Sequence, residues 1–320
     1  MSINLPSIIT IGSRDSELAL LQSNMVKSAL ESLHQGLEVR ILKIKTKGDL
    51  ILDQALSKIG DKGLFVKELE YKLLDNTIDL AVHSLKDMMT TLPSGLEIAA
   101  VSKRANVKDV VCLSKHAKER GISSLTEAEV IASSSLRRVA QLKHRFKDAN
   151  KTFVDIRGNL NTRLKKLDDP ASKMDAVILA AAGIERLMTV NPVFEGRISE
   201  YLDPELMLPA VSQGALGIEI NSARTDIKDL LKPYNDLETF KITQVERAFL
   251  RTLEGGCHAP IGIYSQKLAD KYRFNACICD LAGQLKLEDY VESDILSESV
   301  GIRLADKLLE SGASKLLARQ

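Results

Sequence analysis

The stretch IDLAVHS, residues 78–84, is an apolar run of strand length that ends directly in Leu85-Lys86-Asp87. A short run of this kind, bounded by polar residues, reads as a buried strand. Working outward toward the N-terminus, it is preceded by a strand SIITIG, a helix over Glu17–Leu33, a strand LEVRILKIKT and a helix from about Leu64 to Leu74. The first helix places Leu18, Leu21, Met25 and Leu33 on one side. This strand–helix alternation predicts a mostly parallel sheet covered by helices.

A second series starts near Lys108. It runs through DVVCLS, EVIAS, a helix over Leu136–Lys143, TFVDI, a helix from Asn159 and DAVILAAAG. After Pro209 come one more strand, ALGIEIN, and a helix that ends before Pro233. The pattern then changes to a helix from about Leu237 to Leu253, strands near IGIYS, YRFNACICDL and LKLEDYV, and a final helix in ILSESVGIRLADKLLESG. The order predicts two α/β domains followed by an α+β domain. The first would comprise 1–104 and 215–233, the second 105–214 and the third 234–320.

The composition excludes several classes. With 44% hydrophobic and 27% charged residues, the 320-residue chain has globular values rather than disordered ones. No apolar run reaches the ~18 residues of a membrane span. The start, MSINLPSIITIGSRDSE, lacks the marks of a secretory or organellar leader, so a cytoplasmic protein without a membrane partner is expected. Net charge is only +1, but residues 101–175 hold 17 Lys/Arg against 9 Asp/Glu. Part of that surplus, KHRFK at 143–147, reads as a solvated helix face; the rest predicts an anionic ligand. Nucleic acid fits poorly, because there is no Trp and aromatics are only 4%. A polycarboxylate or phosphate fits better.

Ligands in open α/β sheets bind beyond the carboxyl ends of strands, and three such ends carry suitable side chains. IDLAVHS delivers Lys86 and Asp87, EVIAS delivers Ser134, Ser135, Arg137 and Arg138, and TFVDI delivers Arg157, Gly158 and Asn159. Serines opening a helix leave backbone N–H groups for an anion, and arginines add bidentate carboxylate recognition. The plain alternatives are that Ser133 to Ser135 cap a helix and that Ser84-x-x-Asp87 is a capping box. Lys58 and Lys62 lie in the glycine-punctuated SKIGDKGLF, either a loop closing over an anion or ordinary surface charge.

Four cysteines are too few for a disulfide framework, and no metal-ligand spacing is present. Cys112, Cys277 and Cys279 sit in strand-like runs and read as buried thiols. Cys257, in LEGGCHAPIG, follows two glycines that let something bulky approach the backbone. It reads as a thiol used for attachment, or a packed one. Pairing with the adjacent His258 in a thiol hydrolase is disfavoured, because sequence neighbours point apart.

Taken together, IGSRDSELALLQ, KGLFVKELE, IDLAVHSLKD, SSSLRR, IRGNLNTRL, LPAVSQGALGIE and ERAFLRTLEGGC resemble, in order and over nearly the whole chain, the porphobilinogen deaminase (hydroxymethylbilane synthase) family. The resemblance implies two periplasmic-binding-protein-like α/β domains plus a C-terminal α+β domain. It implies head-to-tail condensation of four porphobilinogen molecules, primed on a dipyrromethane cofactor held by a thioether to Cys257. It further implies Asp87 as the catalytic carboxylate with Lys86 beside it. Ser84, Ser134, Ser135, Arg137, Arg138, Arg157 and Gly158 would hold the cofactor. Arg14, Ser16, Arg163 and Gln213 would hold substrate, and Lys58 and Lys62 would lie in a loop over the active site. Met88 and Met89 depart from the family, which usually has a proline close behind the aspartate; Ser13 and Ser133 replace threonines common there. A monomer is expected, since no long exposed apolar stripe is evident. The same pair of α/β domains is shared with solute-binding proteins, so the alternative is a non-catalytic anion-binding protein.

Overall fold

The structure, a computed structural model, describes residues 5–46, 66–254 and 259–317. The chain lays down β1 (Ile8–Arg14), β2 (Glu38–Ile44), β3 (Leu80–Ser84) and β4 (Leu96–Val101), with helices Glu17–Leu33 and Lys67–Leu74 between them. It continues through β5 (Asp109–Leu113), β6 (Val130–Ala132), β7 (Thr152–Val154), β8 (Ala176–Ala180) and β9 (Glu200–Leu202), and returns with β10 (Leu216–Asn221). β11 (Ile261–Lys267), β12 (Tyr272–Cys279) and β13 (Lys286–Ser293) complete the strands. Two compact units result: 1–105 with 214–241, and 106–213 with 242–320.

In the first unit the sheet order is β2-β1-β3-β10-β4. β1 runs parallel to both β2 and β3, as helix-linked strands must. β10 runs antiparallel to both β3 and β4, so the sheet is mixed, with four strands in one direction and β10 alone against them. The reason is connectivity: β10 follows the long excursion through residues 106–213, not a covering helix of its own sheet. Leu80 and Val82 of β3 join Ile9, Ile11, Val39 and Ile218 in the core on one face, and Ala81 packs with Leu69, Leu73 and Ile78 on the other. The fully apolar strand is thus buried on both faces.

Helix Glu17–Leu33 has the expected bounds but a different buried face. Ala19, Gln22, Ser23, Val26 and Leu30 face inward, while Met25 is 45% exposed and Leu33 47%. Leucines occur on both sides of this helix, so periodicity alone did not select the face. In the fold Val26 and Leu30 pack into the core beneath the sheet, and Gln22 finds a polar partner in Ser84 of β3.

The second unit's sheet, β7-β6-β8-β5-β9, is mixed in the same way. β6 is parallel to β7 and β8, whereas β5 is antiparallel to β8 and β9. The run DAVILAAAG divides at Ala180, where the strand ends and helix Ala181–Met188 begins. The antiparallel β11-β12-β13 sheet is packed by helix Glu298–Glu310, with Phe249, Ile263, Phe274, Leu304 and Leu308 in its core. Gly301 makes the helix crossing possible, since a Cβ there would lie 2.1 Å from the Val245 carbonyl oxygen. The two α/β sheets and the smaller C-terminal sheet with its helices agree with the fold class expected from the sequence. No helix among the described residues is long and apolar enough to cross a membrane.

Candidate active site

β3 ends in a single 3-10 turn, Leu85–Asp87, closed by the Met88 N–H donating to the Leu85 carbonyl at 3.2 Å. Leu85 and Met88 are buried with Val101 and Ala215, and the Leu85 N–H donates to the Ala215 carbonyl at 3.0 Å. The turn is therefore pinned by apolar side chains before and after Asp87, while Asp87 itself is exposed. Met88 serves as that apolar anchor.

The capping box read from Ser84-x-x-Asp87 is not formed. Ser84 makes no side-chain cap; its hydroxyl accepts from Gln22 Nε2 at 3.0 Å instead. Among the described residues, nothing bonds to the Asp87 carboxylate. Arg14 and Ser16 lie at the same sheet edge, because β1 and β3 are parallel. Ser16 caps helix Glu17–Leu33 by accepting from the Ala19 N–H at 3.4 Å.

Just behind this turn lies a polar group that the sequence reading missed. His83 Nε2 is 3.0 Å from Glu219 Oε2, with both side chains buried. Glu70, on the overlying helix, has its carboxyl pushed above the usual range by burial and then by the charge of Glu219.

In the second unit, the ends of the parallel strands β6 and β7 are stapled together by Ser134. Its hydroxyl donates to the Ile156 carbonyl and accepts from the Ile156 N–H at 3.1 Å. Ser133 Oγ accepts from the Ser135 N–H at 3.3 Å. Ser135 is the N-cap of helix Leu136–Arg145 but makes no side-chain cap, and no acidic residue lies in the first turn. This helix start is therefore not consumed by a serine cap.

Arg137 and Arg138 turn inward onto Asp109, the first residue of β5. Arg137 Nη1 donates to Asp109 Oδ2 and to the Leu208 carbonyl, both at 2.7 Å. Arg138 donates to Asp109 Oδ1 through Nε at 3.1 Å and Nη2 at 2.8 Å, and to the Ile178 carbonyl through Nη1 at 3.0 Å. Gln213, also buried, donates through Nε2 to the Val107 carbonyl at 2.7 Å and to Asp109 Oδ1 at 3.0 Å. Gln213 thus belongs to the frame around Asp109 rather than to an open surface. Asp109 was missed because it opens an otherwise apolar strand; a lone carboxylate at the head of a buried run is the signal that could have found it.

Arg157, at the end of β7, is loosely held: its nearest carboxylate, Asp155, is 3.9 Å away. The Nε–H groups of Arg157 and Arg137 are buried without an acceptor among the described residues. Gly158 has φ +112°, and a Cβ there would meet Thr162 at 2.6 Å, so this turn requires glycine. Its carbonyl accepts from Arg163 Nε at 2.8 Å, and Asn159 caps the next helix through the Thr162 N–H at 2.9 Å.

Cys112, Cys277 and Cys279 are buried free thiols, as expected, and burial pushes the Cys112 thiol up to about 12. Cys257, Lys58 and Lys62 lie outside the described residues.

Comparison with known proteins fits this arrangement. Residues 9–229 match the family model for the porphobilinogen deaminase dipyrromethane cofactor binding domain, and residues 240–310 match that for the C-terminal domain. The chain is 43% identical to porphobilinogen deaminase of Gloeobacter violaceus over 323 residues, covering 97% of this chain and 92% of the relative. It is 43% identical to that of Dictyostelium discoideum, covering 99% and 98%, and 44% identical to that of Carboxydothermus hydrogenoformans, covering 97% and 96%. Among solved structures it is similar to the methionine-binding protein MetQ, with a TM-score of 0.44 and 13% identity over 75% of this chain and 95% of that one. The two domain matches fall on the two parts of the chain that carry the strand-end residues and the C-terminal sheet: this chain belongs to the porphobilinogen deaminase family.

Proposed function

We propose the following division of labour for the family reaction. The enzyme is a transferase that condenses four porphobilinogen molecules head to tail, releasing ammonia each time, to give 1-hydroxymethylbilane. Asp87 is the catalytic carboxylate, and one observation carries that role: it is held on a pinned turn while its oxygens stay uncommitted among the described residues. A free, fixed carboxylate can accept a hydrogen bond from the pyrrole N–H of porphobilinogen while the aminomethyl group, already protonated near neutral pH, leaves as ammonia with the C–N electron pair. The carboxylate then faces the cation that loss of ammonia leaves on that pyrrole. Lys86 is assigned to the same catalytic turn.

The residues at the ends of β6 and β7 fit a dipyrromethane, whose pyrroles carry carboxylates. They supply two buried Nε–H donors without acceptors and a helix start without a serine cap. Arg137, Arg138, Arg157, Ser135 and the turn at Gly158 are the binding elements, with Ser134 as their staple, and Ser84 is assigned to the cofactor as well. When bound, the cofactor supplies a covalent primer, which keeps the growing chain at high effective concentration. Arg14, Ser16 and Arg163 are assigned to substrate carboxylates, and Lys58 and Lys62 to the loop over the active site. Gln213 acts through Asp109. The functional domains are 1–104 with 215–233, 105–214, and 234–320. The protein works as a cytoplasmic monomer without nucleic-acid or membrane partners. A purely solute-binding role is not favoured, because the family matches span both the cofactor-binding and the C-terminal domains.

Intact mass of the native protein tests this reading. A mass excess of two linked pyrrole units, mapped to Cys257 and lost in Cys257→Ser together with turnover, is expected. A native protein of unmodified mass, or an adduct on Cys112, Cys277 or Cys279, would overturn it.

A further inference from the structure

Asp109 is fully buried, and the side chains of Arg137 and Arg138 are only 5% and 7% exposed. A guanidinium stays charged in any protein environment. Burial pushes the Asp109 carboxyl up, but the charges of Arg137 and Arg138 and their hydrogen bonds outweigh it and hold the group well below the usual carboxylate range. Asp109 is therefore ionised, and this three-residue cluster carries two positive charges against one negative.

Stability alone does not explain the arrangement. Well-packed apolar residues commonly match or exceed a buried ion cluster, and an uncompensated buried charge is costly. The surplus charge has an outlet in Arg137 Nε, a buried donor without an acceptor among the described residues. Asp109 also fixes direction. Its Oδ1 takes two donors from Arg138 and its Oδ2 takes one from Arg137, so the two forks are set at once by one carboxylate. Gln213 in turn holds that carboxylate to the 107–109 backbone and side chain.

We propose that Asp109 is a positioning residue for the condensation reaction: it aims the Arg137 and Arg138 guanidiniums at the carboxylates of the pyrrole chain. The proposal rests on the deaminase reading. Asp109 touches no reacting atom; it acts through the arginines, with Gln213 as its own support.

The test uses the full-length protein, expressed natively, as wild type, Asp109→Asn and Asp109→Glu. Cofactor content is read by intact mass, turnover as kcat and KM per cofactor-loaded molecule, and folding by thermal unfolding. Misplacing binding groups by about 1 Å can cost on the order of 10²-fold in rate, so kcat per loaded molecule is expected to fall by about that much in the Asn variant. Adduct content is expected to fall with it. The Glu variant keeps the charge but shifts it by one methylene. It is expected to fold like wild type and to lie between the other two in kcat, so it decides the matter if the Asn variant does not fold. A merely structural role predicts less folded protein whose folded fraction has wild-type adduct content and kcat. That result in the Asn variant, or wild-type kcat in the Glu variant when the Asn variant fails to fold, would overturn the proposal. A wild-type protein without adduct or porphobilinogen consumption would instead sink the deaminase reading itself.

Discussion

Asp87 and Asp109 both sit at the end of a buried strand, and the fold treats them in opposite ways. Asp87 is exposed on a one-turn helix, with nothing bonded to its oxygens among the described residues. Asp109 is buried and receives donors from Arg137, Arg138 and Gln213. A carboxylate enclosed by donors from three side chains can hold a frame but is closed to a reacting group. One that is fixed by its backbone and left open is available to such a group. The difference separates chemistry from scaffold.

The sharpest way to break this contrast is Asp87→Asn. Removing a preorganised charge costs ~10²–10³ in rate, so kcat should fall by at least that much. Because no cap is lost, the thermal unfolding midpoint should stay that of wild type. Asp87→Glu should retain more activity than Asn. Steady-state turnover alongside unfolding checks this, and an Asn variant within a few-fold of wild type would return Asp87 to a structural part.

The arginines give a second, smaller contrast. Arg157→Leu loses a charged hydrogen-bond donor worth ~1.5–3 kcal/mol, which corresponds to about 10–10²-fold in cofactor assembly or chain initiation. Its ion pair with Asp155 is long, so stability should change by less than ~1 kcal/mol. Arg157→Lys should recover part of the loss, since it keeps charge but not the fork. Arg138→Leu removes a buried partner of Asp109 and should cost about 3–5 kcal/mol in denaturant unfolding. Equal stability of the two Leu variants would contradict the burial seen here.

Titration distinguishes the buried acids further. Asp109 has its folded carboxyl held below the ordinary value, so below pH ~3.9 the unfolded state binds the extra proton. Its contribution to stability is full above that pH and is lost as pH falls through the folded value. Asp109→Glu, or Asn if it folds, should show a shallower acid limb in stability against pH. Glu70 has the opposite sign. Its folded carboxyl is raised from 4.5, so the folded state keeps a proton longer, and stability declines as pH rises through that window. Glu70→Gln should remove this decline and leave stability at pH 7 equal or higher, the smallest effect of the series.

The sequence by itself determined most of the alternation of strands and helices and which strand ends carry Asp87, Ser134, Arg138 and Arg157; the strands Leu96–Val101 and Glu200–Leu202 were not legible in it. The legible parts depend on local apolar runs and on seven motifs that keep their order. The tertiary structure alone decided strand direction, because β10 and β5 run antiparallel to neighbours that local pattern cannot reveal. It also decided the buried face of helix Glu17–Leu33, where leucines on both sides made periodicity ambiguous. Above all it decided the fate of each charge. Ser84 and Asp87 have capping-box spacing, yet Ser84 turns to Gln22, 62 residues away in the chain, and Asp87 is left open. Arg137 and Arg138 look alike with any exposed pair in sequence, yet they share a carboxylate 28 and 29 residues away. Hydrogen bonds between residues so far apart form only once the strands are paired, so which polar groups are spent and which stay available is a property of the folded chain.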